Sequence, residues 1–168
     1  MQTLQVQTYA REGAVDREVH TLTDQIASTA FSLIDAGRLY ARRFEQRSRE
    51  LALDLTQCRA LIVLAQNPGI TQQRLADLTA LNAAALGRIL DRLERRRLVK
   101  RHPRLGDRRA RSLAVTQEAT TILPIIWGLL TESHVAALKD LSNGERRALM
   151  KALDHVLVNL RQSAEVAG

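Results

Sequence analysis

The sequence has one cysteine, few aromatic residues and little proline or glycine. Because Cys58 stands alone in 168 residues, an internal disulfide is excluded and a reducing compartment is favoured. Aromatic residues make up only 3% of the chain, and eight glycines and three prolines leave long stretches without a helix breaker. Hydrophobic residues still make up 45%. This composition is typical of a helical protein whose core is built from leucine and alanine.

Long hydrophobic runs are also missing. The longest, residues 61–65 and 123–130, are far too short to span a bilayer, and the N-terminus has no apolar core of signal-peptide length. We therefore expect a cytoplasmic protein without membrane association. The four histidines are scattered, with no pair four residues apart beside a carboxylate, so neither a metal site nor a cofactor is predicted. No nucleophile, base and orienting group occur together, which argues against an enzyme.

Positive charge is concentrated in one segment. Residues 88–111 carry eleven Lys or Arg and three acids, a net charge of +8, whereas the whole chain sums to +7. A basic block in an otherwise near-neutral protein indicates a surface that binds a polyanion. Ten of the eleven basic residues are arginines, whose planar fork suits phosphate oxygens and guanine edges. The alternative is a solvated helix face without a partner.

Hydrophobic periodicity and capping residues predict six helices and one hairpin. The N-terminal residues 1–15 are expected to be flexible. The predicted helices cover residues 16–48, 55–66, 72–79, 83–97, 117–138 and 143–161. The residues expected to cap the last five are Asp54 with Gln57, Thr71, Asn82, Thr116, and Ser142 with Glu145. Two short strands, 98–102 and 111–115, flank the turn residues 103–107.

This order of elements predicts a mainly α fold with a small β-hairpin, α1-α2-α3-α4-wing-α5-α6. It is a winged helix-turn-helix on a helical dimerisation base. In such folds the second helix of the pair enters the major groove, and the hairpin reaches the flanking minor groove or backbone. We assign residues 53–115 to the DNA-binding lobe. Residues 16–52 and 116–163 are assigned to dimerisation, because their apolar stripes are longer than one small domain can cover.

Four segments carry motifs of one known family. They are Leu-Asp-Leu-Thr-Gln-Cys-Arg-Ala-Leu at 53–61, Ile-Thr-Gln-Gln-Arg-Leu-Ala at 70–76, the recognition-helix end and first wing strand at 90–101, and Asp-Arg-Arg-Ala-Arg-Ser-Leu-Ala-Val-Thr at 107–116. In this order and spacing they resemble the MarR family of bacterial transcription regulators. The resemblance implies a homodimer on a palindromic operator in double-stranded DNA. It also implies release by a small aromatic or anionic effector, whose site in this chain is unknown, and a salt bridge between Asp107 and Arg109 in the wing.

The chain departs from the family pattern at four places. Arg97 stands where the family usually has glycine at the helix end, and Cys58 stands where an aromatic residue is usual. Ala119 replaces a frequent glycine after the capping threonine. The recognition helix begins with the small residues Ala83, Ala84 and Ala85 instead of threonine or serine. The last departure bears on how a DNA sequence is read.

Ten residues are candidates for contacts with DNA. Arg88 lies on the outer face of the recognition helix and is expected to contact a guanine edge, with a phosphate contact as the alternative. The alanines can touch thymine methyls, or they only favour helix. Thr71 and Asn82 can hold a phosphate or serve only as caps. The full set is Thr71, Gln72, Asn82, Ala84, Ala85, Arg88, Arg104, Arg108, Arg109 and Arg111.

Two further interpretations stay open beside the dimeric regulator, which we expect to be a repressor. One is a nucleoid-type architectural protein that binds DNA without an effector, which the plain recognition helix allows. The other is a protein-interaction module that has lost DNA binding. Cys58 lies on the apolar face of its helix, so we interpret it as a buried core residue rather than as a redox sensor.

Overall fold

The computed structural model describes the backbone of residues 2–104 and 107–166, and the side chains of residues 23–103 and 111–163. The helices are α1 (Gln2–Arg47), α2 (Leu55–Gln66), α3 (Gln72–Thr79), α4 (Ala83–Arg95), α5 (Gln117–Ala137) and α6 (Asn143–Val166). A short 3-10 turn covers Arg49–Leu51. Strands β1 (Val99–Arg104) and β2 (Asp107–Val115) pair antiparallel. The predicted fold class is therefore confirmed.

The chain divides into two compact units, residues 1–55 and 56–168. The first contains α1, and the second contains α3, α4, the hairpin, α5 and α6. The predicted start of the first helix was wrong, because α1 begins at Gln2 and includes residues 2–15. The flexibility of these residues stays a prediction. These residues lack an apolar stripe, but none of them is proline, and Gln, Ala, Arg and Glu all favour helix.

The hairpin is also longer than predicted. Pro103 and Asp107, which we assigned to a turn, lie in the strands, and Pro103 pairs with Arg111. In a two-stranded sheet both strands are edges, and an edge strand tolerates proline. The register shifts between Pro103 and Arg104, where Arg104 pairs with Asp107. The strong turn signals at these positions therefore mark an irregular strand end rather than an early turn.

The helix-turn-helix forms because each helix has a cap and a buried stripe. The Thr71 hydroxyl accepts a hydrogen bond from the Arg74 N–H at 3.2 Å, and the Asn82 side-chain oxygen accepts one from the Ala85 N–H at 2.8 Å, as predicted. Between α3 and α4 the chain turns at Ala80, which has a φ of 55°. The apolar positions of the two helices are buried; they are Leu75, Ala76, Leu86, Leu90 and Leu93.

The segment before α3 is joined to the hairpin. The Gly69 N–H donates to the Leu113 carbonyl at 3.1 Å, and the Leu113 N–H donates to the Ile70 carbonyl at 2.9 Å. A further bridge pairs Thr71 with Ser112. Gly69 has a φ of 80°, a conformation in which glycine carries no steric penalty. These bonds fix the start of α3 against β2.

Helix α4 is followed by a residue in the left-handed conformation. This was expected, because the family that the sequence resembles usually has glycine at this position. Arg97 has a φ of 57°. Its N–H donates to the Glu94 carbonyl at 2.9 Å, and the Leu98 N–H donates to the Leu93 carbonyl at 2.9 Å, which is the Schellman arrangement. The Thr116 hydroxyl donates to the Arg97 carbonyl at 2.5 Å and accepts from the Ala119 N–H at 3.2 Å. The end of α4 is thereby linked to the start of α5.

The turn between α5 and α6 is held by polar groups at both sides. The Ser142 N–H donates to the Glu145 carboxylate at 2.8 Å, and the Glu145 N–H donates to the Ser142 hydroxyl at 3.3 Å, which confirms the predicted capping box. The hydrogen bonds from the Ser142 side chain and backbone lower the pKa of Glu145. The Arg146 guanidinium donates to the carbonyls of Leu138 and Leu141 at 2.9 and 3.0 Å.

Large apolar side chains remain exposed on three helices. On α1 they are Ile26, Phe31, Leu33, Ile34 and Leu39. On α5 they are Ile125, Trp127 and Val135. On α6 they are Leu149, Met150, Leu153, Leu157, Val158 and Leu160. Exposed apolar residues in this number, on each of the two units, are typical of helices that pack against another chain.

Replacing Arg97 by glycine should stabilise the protein. The left-handed conformation costs a residue with a Cβ atom about 1–2 kcal/mol, and the added chain flexibility of glycine offsets roughly half of this gain. We expect Arg97→Gly to raise the free energy of unfolding by about 0.5–1 kcal/mol in urea titrations. Arg96→Gly is the matched control, since it removes the same charge at a residue with a φ of −85°. It should lower the stability, and equal shifts in both variants would contradict the role of the backbone conformation.

Candidate nucleic-acid interface

The outer face of α4 presents basic and small side chains to solvent. Because Leu86, Leu90 and Leu93 are fully buried on one side of the helix, the residues on the opposite side must face outward. Arg88 and Ala84 are exposed there, and Ala85 is half-buried. Arg92 and Arg95 are exposed on the following turns. The predicted face of the recognition helix is therefore present, with Arg88 as its first long side chain.

The start of α3 lies beside the same part of α4. A Cβ atom added at Gly87 would lie 3.7 Å from the side-chain nitrogen of Gln72, so the Gln72 amide rests over α4 one residue before Arg88. Thr71 is half-buried, and Asn82 is exposed. Both act as helix caps, which leaves further acceptor capacity on their side-chain oxygens. The Gln72 side chain thus lies close to α4 beside Arg88, and Asn82 is exposed at the N-terminal end of the same helix.

Of the four wing arginines predicted to contact DNA, Arg111 is the one whose side chain the structure describes. Arg111 is exposed on β2. The side chains of Arg104, Asp107, Arg108 and Arg109 lie outside the described residues. Their contacts with DNA and the salt bridge between Asp107 and Arg109 therefore stay predictions.

Arg101 has a different role from its neighbours in the basic block. Its guanidinium pairs with the Asp91 carboxylate at 2.7 Å and with the Glu94 carboxylate, and its side chain is only 19% exposed. Burial disfavours the charged guanidinium, but hydrogen bonds and charges from Asp91 and Glu94 outweigh burial and raise the pKa of Arg101. Counting basic residues along the sequence missed this pairing. The sequence did contain an indication of this pairing, since Asp91 and Glu94 are the only acids in α4 and lie one turn apart.

The carboxylate of Glu118 lies at the start of α5, the helix that is linked to the turn at Arg97. Glu118 stands in the first turn of α5, where its own backbone N–H donates to its carboxylate. This hydrogen bond lowers the pKa of Glu118, and the charges of Arg97 and Lys100 lower it further. The group is fully solvated, so it adjusts the local charge without holding the fold together.

An open cleft of about 520 Å³ lies between the turn joining α3 to α4 and the C-terminal part of α6. Its walls are largely apolar, with polar groups at Gln73, Asp77, Asn82 and Arg161. The Gln73 amide donates to the Asp77 carboxylate at 3.1 Å. The apolar part is formed by Ala76, Ala80, Leu81, Ala83, Leu157 and Leu160. The cleft is large enough for a small organic molecule.

The described residues of the structure give little support for redox chemistry at Cys58, for a metal site or for a membrane span. Cys58 has no exposed surface, which confirms the prediction that it belongs to the core. Among the residues that the structure describes, no three His, Cys, Asp or Glu side chains are grouped closely enough to bind a metal ion. Within the same part of the chain, every helix is too short or too polar to cross a membrane.

Comparison with known proteins agrees with the motifs in the sequence. Residues 53–110 match the MarR family, which confirms the resemblance and covers α2 to the wing. A Bacillus subtilis (strain 168) protein described as the uncharacterized HTH-type transcriptional regulator YybA is 24% identical over 115 residues. The match covers 67% of this chain and 77% of that protein.

Solved structures share the fold over most of the chain. The transcriptional regulator SlyA superposes with a TM-score of 0.79 at 23% identity, covering 83% of this chain and 99% of SlyA. A mutant of MarR from E. coli in complex with operator DNA gives a TM-score of 0.74 at 23% identity, covering 79% and 96% of the two chains. The matching family and fold are those of transcription regulators, not of enzymes.

Proposed function

We propose that this chain, a MarR-type winged-helix protein, is a dimeric regulator of transcription that binds a palindromic operator in double-stranded DNA. The observation that carries the proposal is the outer face of α4, where exposed Arg88 and Ala84 lie opposite a fully buried leucine stripe. The DNA complex of the E. coli relative supports duplex DNA as the partner. Such a protein acts in the cytoplasm at the nucleoid, and it represses when its operator overlaps a promoter.

Each part of the surface has its own task in this proposal. Arg88 forms paired hydrogen bonds with a guanine, while Ala84 and Ala85 contact thymine methyls in the major groove. Thr71, Gln72 and Asn82 position the helices on phosphates through helix N-termini and short polar side chains. The arginines of the wing contact the flanking phosphate backbone or minor groove; they are Arg104, Arg108, Arg109 and Arg111.

We also propose that a small aromatic or anionic effector releases the protein from its operator. The cleft beside the turn between α3 and α4 supports this proposal, because a molecule seated there contacts the residues that lead into the recognition helix. Its apolar walls suit an aromatic ring, and Arg161 offers a cation to a carboxylate. Peroxide is not the expected signal, since the thiol of Cys58 is buried.

A footprint on the DNA that flanks the protein's own gene tests the regulator against an architectural protein. We expect a short protected palindrome whose half-sites are about 10–11 base pairs apart, because the two recognition helices of a dimer enter successive major grooves. Continuous coverage would indicate an architectural protein, and no protection at all would indicate a protein-interaction module. Benzoate, added as an aromatic carboxylate, should remove the protection. Protection that persists at millimolar benzoate would contradict release by this class of effector.

Dimerisation should depend on the apolar residues exposed on α1 and α6. Phe31 and Met150 are 64% and 62% exposed in the single chain, and a carboxylate at either position would be costly to bury. We expect Phe31→Asp or Met150→Asp to raise the dimer dissociation constant at least about tenfold, roughly 1.4 kcal/mol, in analytical ultracentrifugation. Asn159→Asp adds the same charge at an exposed polar position of α6 and should change little. A wild-type chain that stays monomeric and well folded would overturn the proposal.

Arg88 and Arg111 should contribute to DNA binding in different ways. Loss of a paired guanine contact costs about 1–3 kcal/mol and relaxes the preference at one base pair, so Arg88→Ala should affect mainly the cognate operator. Arg111→Ala should weaken all sequences evenly and reduce the slope of log K against log salt by about one per phosphate contact, or two per dimer. Binding to a randomised operator library at two salt concentrations measures both effects. Equal loss for every sequence in Arg88→Ala would show that Arg88 holds only phosphate.

A further inference from the structure

We propose that Arg101 is a positioning residue that joins the wing to the recognition helix, so that α4 and the hairpin meet DNA as one rigid element. This inference rests on the proposed function, because its consequence is a higher selectivity for the operator. It differs from the expected wing contacts, since Arg101 acts through two carboxylates of the protein and not through a contact with DNA.

The position of Arg101 on the hairpin explains why it faces the protein. Arg101 pairs with Leu113 across the sheet, and cross-strand partners lie on the same side of a hairpin. Leu113 and Val99, two residues before Arg101, are both buried. The guanidinium therefore lies on the inward side, toward α4, where a charge is tolerated only if it is paired. The residues on either side of it, Lys100 and His102, are exposed.

The carboxylates that pair with Arg101 both come from α4. Asp91 and Glu94 are three residues apart, so they stand on adjacent turns of one helix face. The two nitrogen atoms at the tip of the guanidinium each bond one of them, Nη2 to Asp91 at 2.7 Å and Nη1 to Glu94. A two-point contact of a planar group restrains rotation as well as distance. It adds a side-chain connection to the backbone turn at Arg97, which otherwise leads directly from α4 into β1.

Arg101 also affects the charge that DNA meets. Asp91 and Glu94 are more than 40% exposed on a helix whose other charged residues are all arginines. With Arg101 in place the three groups sum to −1, and without it they would sum to −2. A variant that lacks Arg101 therefore loses both the mechanical connection and part of the attraction to phosphate. The experiment must separate these two effects.

Four variants separate position from charge. Arg101→Met breaks both ion pairs and keeps an unbranched apolar chain. Lys100→Met is the control, because it removes the same charge from the neighbouring exposed position. The triple variant Asp91→Asn, Glu94→Gln, Arg101→Met removes the connection without leaving unpaired carboxylates. Arg101→Lys keeps the charge but lacks the planar guanidinium. It replaces Arg101→Met in the measurements if Arg101→Met does not fold.

Binding to the operator and to an unrelated duplex of equal length, at two salt concentrations, gives the first readout. We expect Lys100→Met to weaken both duplexes by the same factor. Arg101→Met should reduce the ratio of specific to non-specific affinity at least tenfold, and Arg101→Lys should reduce it less. In the triple variant, non-specific binding should return at least to the wild-type level while the ratio stays low. A full return of the ratio in the triple variant would show that Arg101 acts through charge alone and would overturn the proposal.

Hydrogen–deuterium exchange of the free protein gives a second readout that needs no DNA. Arg101→Met and the triple variant should speed exchange in residues 99–104 and 111–115, while exchange in α2 and α3 and the melting temperature change little. Unchanged exchange in the hairpin would overturn the proposal. If the wild-type chain shows no preference for any operator, the proposed function fails, and faster exchange in the variants would still demonstrate the connection.

Discussion

Burial of the leucine stripe on α4 is the constraint on which the rest of the structure depends. Leu86, Leu90 and Leu93 have no exposed surface, so the helix cannot rotate without moving leucine into water. Full burial of a leucine side chain contributes roughly 1.5–3 kcal/mol, so three of them fix the orientation of α4 strongly. Its outer face is fixed by the same energy. Arg88 is therefore exposed because the core requires it, with no separate interaction to point it outward.

The neighbouring elements limit how α4 can move. The start of α3 is bonded to β2 through Ile70 and Leu113, and the end of α4 is bonded through Arg97 to Thr116 at the start of α5. The small residue Gly87 lets the Gln72 side chain lie over α4. The bond between Ile70 and Leu113 joins backbone atoms and depends little on the identity of the side chains. The other two links use the Thr116 hydroxyl and the Gln72 side chain, so they do depend on those residues.

The sequence predicted the helices well because their signals are local. A capping side chain and the helix it opens are neighbours in the chain, as at Thr71, Asn82 and Ser142. The bounds of the hairpin were predicted less well. Pro103 and Asp107 favour turns locally, but pairing with residues on the opposite strand places them in the strands. The start of α1 was wrong for a related reason, since a helix of polar residues has no apolar period to reveal it. Arg101 was counted in the basic block without its partners, because Asp91 and Glu94 on α4 come close to it only after the chain folds back.

The full burial of Cys58 has a practical consequence for anyone who works with this protein in solution. It is the chain's single thiol, and it has no surface that a maleimide or a spin-label reagent could reach while the protein is folded. A cysteine introduced at an exposed site, such as a position on the wing, would react alone, so the native residue need not be replaced first. In the unsubstituted protein, reaction of the Cys58 thiol would report local opening of the core.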